Sequence, residues 1–353
     1  MRTRVIVAAV FAAVCLVAGG GCSWQDAELA ASDGPIYRPE IQPLGWSADG
    51  RHVLFVHTEL YGGYDYISDR GCGASGIYQT DGRSPPRPVA VGEAWCAGAK
   101  WRTKAVLAAG ARTIYVIPET YGGDCSAFSA FDLAGARWRE AARVCGNDLF
   151  GPAISSDGRR IAVGLGCARS FGGGEPPQVT PRGCVDRDGD RFTVINVDGS
   201  ERRIVGAPGD RNPVWSPDGR SLAVMTEGEW NIAIVNLDTG TRRIITHGED
   251  PAWSPDGQWL AFIRFPKGRL SPVSLRVIRT DGTGERTVFV QNPADMRGPQ
   301  YPSPGGWPRD PLWSPDGRRI VFTKHFQTGN TLWIVNADGT GLRRLANRIE
   351  PAE

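Results

Sequence analysis

Apolar residues along most of this chain fall in short runs of strand length, and turn residues close each run. Leu222-Ala-Val-Met225, Leu260-Ala-Phe-Ile263 and Ile320-Val-Phe-Thr323 are three such runs. Short runs of β-branched and aromatic residues bounded by Gly, Pro and Asp predict strands rather than helices. Before each run stands the same phrase: Trp215-Ser-Pro-Asp-Gly-Arg220, Trp253-Ser-Pro-Asp-Gly-Gln258 and Trp313-Ser-Pro-Asp-Gly-Arg318. Trp46-Ser-Ala-Asp-Gly-Arg51 and Ile154-Ser-Ser-Asp-Gly-Arg159 are variants. Self-similarity at a spacing of about 40–60 residues predicts a repeat architecture.

One repeat reads as four strands. The first ends at Trp, and Pro-Asp-Gly makes a tight turn in which Pro presets φ and Gly accepts a positive φ. The second is the apolar run. The third ends in another Asp turn, as in Ile232-Ala-Ile-Val-Asn-Leu-Asp238-Thr-Gly240 and Leu332-Trp-Ile-Val-Asn-Ala-Asp338-Gly339. The fourth is basic and apolar, as in Arg242-Arg-Ile-Ile-Thr246. Four antiparallel strands make a propeller blade. Aligning Arg112-Thr-Ile-Tyr-Val-Ile with Arg51-His-Val-Leu-Phe-Val reveals a degenerate blade with Leu107 in the Trp place. The expected fold is therefore all-β, a six-bladed β-propeller of four-stranded antiparallel blades spanning 35–350. Trp46, Trp215, Asp218, Trp253, Asp256, Trp313 and Asp316 recur blade by blade, so they are read as structural residues and not as a catalytic set.

On these residues the chain resembles the TolB-like family of propellers, whose repeats carry the same Trp-Ser-Pro-Asp-Gly phrase. The resemblance covers residues 40–346. It implies the fold and leaves function open. TolB itself has an α/β domain before its propeller, for which this chain has no room. Prolyl-oligopeptidase-like enzymes add a hydrolase domain to related propellers, and no Gly-x-Ser-x-Gly elbow occurs here.

The N-terminus gives a compartment. Arg2 and Arg4 precede an apolar stretch, Val5 to Ala18, that is too short to span a bilayer as a helix. Gly19-Gly20-Gly21 leads to Cys22, which resembles a bacterial lipoprotein signal (1–21) with Cys22 lipidated. Residues 22–34 form a tether reaching on the order of 20 Å. The expected location is extracytoplasmic and lipid-anchored, with a secreted soluble protein as the alternative. Without Arg2 and Arg4 the formal charge falls from +2 to zero, so nothing argues for nucleic acid.

Beyond Cys15 and Cys22, six cysteines remain, all in the first three blades. An even number in an exported chain suggests disulfides. Repeat positions pair Cys72 with Cys96, Cys125 with Cys145, and Cys167 with Cys184. These residues lie at one end of the propeller, the end carrying the second-to-third-strand loops and the blade connections. The insertions 58–73, 118–127, 166–191 and 291–311 share it. Aromatics on glycine-rich loops there suit recognition: Tyr61, Tyr64, Trp95, Tyr121, Phe171, Trp230, Tyr301 and Trp307 are the candidates. Packing between loops explains them equally well.

Neither catalytic residues nor a metal or cofactor site emerge. His52, His57, His247 and His325 match no zinc or triad spacing. Asp186-Arg-Asp188-Gly-Asp190 hints at a cation loop, but Arg191 and Val197 stand where an EF-hand needs Gly and Glu. Paired arginines such as Arg242-Arg243 read as edge-strand protection. The leading functional reading is a non-enzymatic binding or scaffold module of the cell envelope with a protein partner. The alternative is a propeller that binds or degrades a glycan, which a convergent pair of carboxylates at the channel mouth would distinguish.

Overall fold

In a computed structural model, the structure describes residues 37–61, 76–91, 103–107, 113–118, 126–133, 137–144, 148–166, 191–226, 230–265, 272–291, 306–326 and 329–346. These hold 24 strands in six sheets of four, with no helix among them. Blade one is β1 (Tyr37–Trp46), β2 (Val53–Tyr61), β3 (Gly76–Thr80) and β4 (Arg87–Val91). Blade two is β5 (Thr103–Leu107), β6 (Thr113–Pro118), β7 (Ser126–Asp132) and β8 (Arg137–Val144). Blade three is β9 (Asp148–Ile154), β10 (Arg160–Gly166), β11 (Arg191–Asn196) and β12 (Arg203–Val205). Blade four is β13 (Arg211–Trp215), β14 (Ser221–Met225), β15 (Asn231–Asn236) and β16 (Arg242–His247). Blade five is β17 (Glu249–Trp253), β18 (Trp259–Arg264), β19 (Ser274–Arg279) and β20 (Arg286–Val290). Blade six is β21 (Trp307–Trp313), β22 (Arg319–Phe326), β23 (Gly329–Asn336) and β24 (Arg343–Ala346).

Every sheet is antiparallel and runs in chain order, so no strand is exchanged between blades. The first strands of neighbouring blades touch all round the ring, β21 with β1 included. They line the central channel. Between blades the core is aromatic and aliphatic: Phe55, Phe192, Phe262 and Phe322 are fully buried. Each such side chain contributes on the order of 1.5–3 kcal/mol.

The repeated Trp joins blades by a polar bond as well. Trp215 Nε1 donates to the Ala153 carbonyl at 3.2 Å, Trp253 to Val214 at 3.0 Å, and Trp313 to Ala252 at 3.2 Å. Each acceptor lies one residue before the corresponding position of the preceding blade. In blade two Leu107 fills this place without a donor. It presses on Gly45, where an added Cβ would lie 2.5 Å from its Cδ2.

Ring closure repeats the joints used elsewhere. Arg319 stacks on Trp46 at 4.9 Å, as Arg160 stacks on Trp215 at 4.8 Å. Arg343 reaches the Gly82 carbonyl at 3.5 Å, as Arg243 reaches Asp281 at 2.8 Å. Trp46 Nε1 is buried without a partner. Asn330 supplies what the Trp does not. Its Oδ1 accepts from Ile41 N–H, and its Nδ2 donates to Ile41 O at 2.9 Å. The side-chain amide thus pairs with β1 as a strand residue would.

Candidate functional site

Strand alternation gives the ring two ends. The turns after the first and third strands share one, called here the turn end. The loops after the second strand and the blade connections share the other, the mouth end.

At the turn end the aspartates of the repeated phrase serve their own turns. Ser216 donates to Asp218 Oδ1 at 2.6 Å, Arg220 N donates to the same oxygen at 3.0 Å, and Ser221 N donates to Ser216 Oγ at 2.9 Å. Ser47/Asp49, Ser155/Asp157, Ser254/Asp256 and Ser314/Asp316 repeat the pattern. The serine hydroxyl and then the backbone N–H hold Asp49, Asp218 and Asp256 below the usual aspartate value. For Asp157 and Asp316 burial works against the charge, and the same bonds outweigh it.

At the mouth end polar groups reach across blades. Four first strands carry a left-handed residue just before a proline: Gly151 (φ 55°), Asn212 (52°), Asp250 (51°) and Asp310 (50°). Gly, Asn and Asp are the residues that tolerate this region. Strand register shifts around each, between Arg211 and Val214, Glu249 and Ala252, and Arg309 and Leu312, and opposite Gly151 between Ala162 and Gly164. Such bulges re-aim side chains.

Two consecutive bulges build a charged cluster. Arg309 Nη1 of blade six lies 2.8 Å from Glu249 Oε2 and 3.2 Å from Asp250 Oδ2 of blade five. Thr323 donates to Asp310 Oδ2 at 3.1 Å, and His325 Nε2 lies 3.6 Å from that oxygen. The same nitrogen is 3.4 Å from Asn330 Nδ2, so the cluster adjoins the amide that closes the ring. Burial and then the charge of Asp310 push Asp250 above the usual aspartate value, against the pull of Arg309. Burial opposes the charge on Arg309, but Asp250 and Glu249 outweigh it and raise its pKa. Glu249 and Asp250 set two carboxylates against one guanidinium, and Asp310 faces Thr323 and His325 beside them. Among the described residues no group of three or more His, Cys, Asp and Glu is arranged to hold a metal ion.

Aromatics frame it. Phe265 lies under Arg309 at 4.9 Å and meets Trp307 edge-on at 6.1 Å. Trp307, a recognition candidate, packs on the core of blades five and six with its indole nitrogen buried and unpartnered. Trp230, another candidate, is 45% exposed with φ 53°, and Arg211 stacks on it at 4.5 Å. Tyr61 ends β2, and its side chain lies outside the described residues. Tyr64, Trp95, Tyr121, Phe171 and Tyr301 lie outside them too, as do Cys22 and the six cysteines Cys72, Cys96, Cys125, Cys145, Cys167 and Cys184.

Sequence reading missed Glu249, Asp250, Arg309, Asp310, Thr323 and Asn330 as a site. A signal was present. Gly151-Pro152, Asn212-Pro213, Asp250-Pro251 and Asp310-Pro311 stand three residues before the blade anchors Ile154, Trp215, Trp253 and Trp313. A residue type that favours left-handed backbone, fixed in register before Pro, marks a bulge.

The fold is that of known propellers. A putative TolB from Agrobacterium tumefaciens is similar with a TM-score of 0.53 at 16% identity, over 74% of this chain and 84% of that one. TolB from Acinetobacter baumannii gives 0.53 at 12% identity, over 90% and 81%. An oligogalacturonate lyase from Vibrio parahaemolyticus gives 0.52 at 14%, over 89% and 79%. At these identities the likeness is one of fold. No protein-family model matches the chain, and no curated protein matches it.

Proposed function

We propose that this protein is a lipid-anchored binding propeller of the cell envelope that engages its ligand with the mouth end. The carrying observation is the contrast between the ends. Turn-end carboxylates are consumed by their own turns, while mouth-end carboxylates and aromatics are gathered on blades four to six, with Arg309 joining two blades. Arg309 clamps two of the carboxylates, which favours positioning over proton transfer and so binding over catalysis. The TolB likeness is consistent with an extracytoplasmic place, and the Cys22 signal supplies the anchor.

The test is photo-crosslinking in intact cells, with the reactive side chain at Trp230 or, as the control, at Thr239 in a turn-end loop. An adduct formed from Trp230 and not from Thr239 supports the reading. Equal adducts from both, or none from Trp230, overturn it. Labelling with a radioactive fatty acid tests the anchor, because Cys22→Ser abolishes incorporation if the cysteine carries it.

A further inference from the structure

The chain enters the ring at the mouth end, close to the channel. Tyr37 at the head of β1 pairs with Tyr61 at the end of β2, and Trp46 at its foot pairs with Val53 beside the turn. β1 lines the channel with the other first strands, and the side chain of Asn330 fastens it at Ile41. Whatever holds the residues before Tyr37 therefore pulls on the centre of the mouth end. Between Cys22 and Tyr37 stand only residues 23–36. A flexible segment of that length has a root-mean-square reach of about 20 Å, and drawn taut it spans about 50 Å.

These lengths choose which end meets a membrane that holds Cys22. With the mouth end toward it, the segment leaves the channel rim directly and its relaxed reach suffices. With the turn end toward it, the segment has to cross the blade and then descend its side. Three strand spacings take about 15 Å, and the length of β1 takes about 33 Å more. That path consumes nearly the whole taut length, far beyond the relaxed reach. The chemistry of the mouth end then selects what it meets. A lipid surface is gripped by clustered Lys and Arg. The mouth end of blades five and six instead sets Glu249 and Asp250 against Arg309, with Asp310 beside them, and exposed Trp230 stands on the same end. Carboxylates accompanied by an aromatic suit a basic protein surface.

We propose that the mouth end faces the membrane that carries the anchor and engages the exposed part of a protein embedded in that membrane, while the turn end points away. This rests on reading Cys22 as lipidated and the mouth end as the binding end. The experiment reconstitutes the acylated full chain in phosphatidylcholine vesicles that contain a headgroup-labelled acceptor lipid. A fluorescent donor side chain stands at position 230 or at position 239, on opposite ends and about 20 Å apart along β15. Energy transfer to the acceptor is expected to be about twofold or more stronger from 230 than from 239. Equal transfer, or more from 239, overturns the orientation, and fatty-acid incorporation at Cys22 then leaves the anchor standing. In intact cells, mass spectrometry of the adduct from a crosslinker at 230 is expected to yield a partner with a membrane-spanning segment. A partner without one overturns the assignment and leaves the binding end standing. No adduct from 230 sinks the binding end and this inference together, as does a chain whose Cys22 takes up no fatty acid for the anchor.

Discussion

The two ends of the ring use the same residue types to opposite purposes. At the turn end an aspartate sits two residues from a serine, and one blade satisfies both. At the mouth end an aspartate sits in a bulge and is answered by a residue of the next blade. The first arrangement is local, repeated and self-contained. The second shares a bulge among four blades but places a different side chain in it, and between blades five and six it reaches across the boundary. Turn-end carboxylates accordingly lie below their ordinary pKa and Asp250 above it. Repetition marks the scaffold, and departure from it marks the candidate site.

The sharpest way to break this comparison is at Arg309. Arg309→Met leaves Glu249, Asp250 and Asp310 facing one another without their cation, so urea denaturation at pH 7 is expected to show a loss of about 3 kcal/mol, shrinking toward pH 4 as the carboxyls take up protons. A pH-independent loss would mean that Arg309 acts by packing. Asn330→Leu removes both bonds to Ile41 while filling similar space. A loss of about 2 kcal/mol is expected, with the first and sixth blades gaining amide hydrogen exchange before the others.

At the turn end, Ser216→Ala is expected to cost about 1 kcal/mol. Because the turn aspartates have depressed values, their contribution is full above the unfolded aspartate pKa near 3.9 and is lost as pH falls through the folded value. Acid titration followed by circular dichroism should therefore place the loss of structure below about pH 4. The smallest effect has the opposite sign. Asp250 is raised, so its favourable contribution belongs to low pH and declines as pH rises from the unfolded value through the folded one. Asp250→Asn is expected to stabilise the chain by up to about 1 kcal/mol at pH 7 and not at pH 3, as read by thermal melts at both values.

Much of the fold was legible because the scaffold repeats. Trp215, Trp253 and Trp313 advertise their blades, and even the degenerate second blade could be placed, since Leu107 occupies a Trp position against Gly45. The charged cluster was not read. Glu249 and Arg309 stand 60 residues apart, and only the packing of blade six on blade five brings them together. Asp250 and Asp310 lie outside the repeated phrase, and their positive φ sets them in bulges. Trp230 was legible as an aromatic of the mouth end.

The unshared seam between blades six and one bears on how the ring is made. Each sheet is a contiguous stretch of chain, so it can assemble as the polypeptide emerges, with no early strand waiting for the last. Long-range pairing, the slow part of most β-folding, is confined to a single late event in which Asn330 meets Ile41. A chain with this plan should tolerate being restarted at another blade boundary, because no junction in the ring shares a strand between blades.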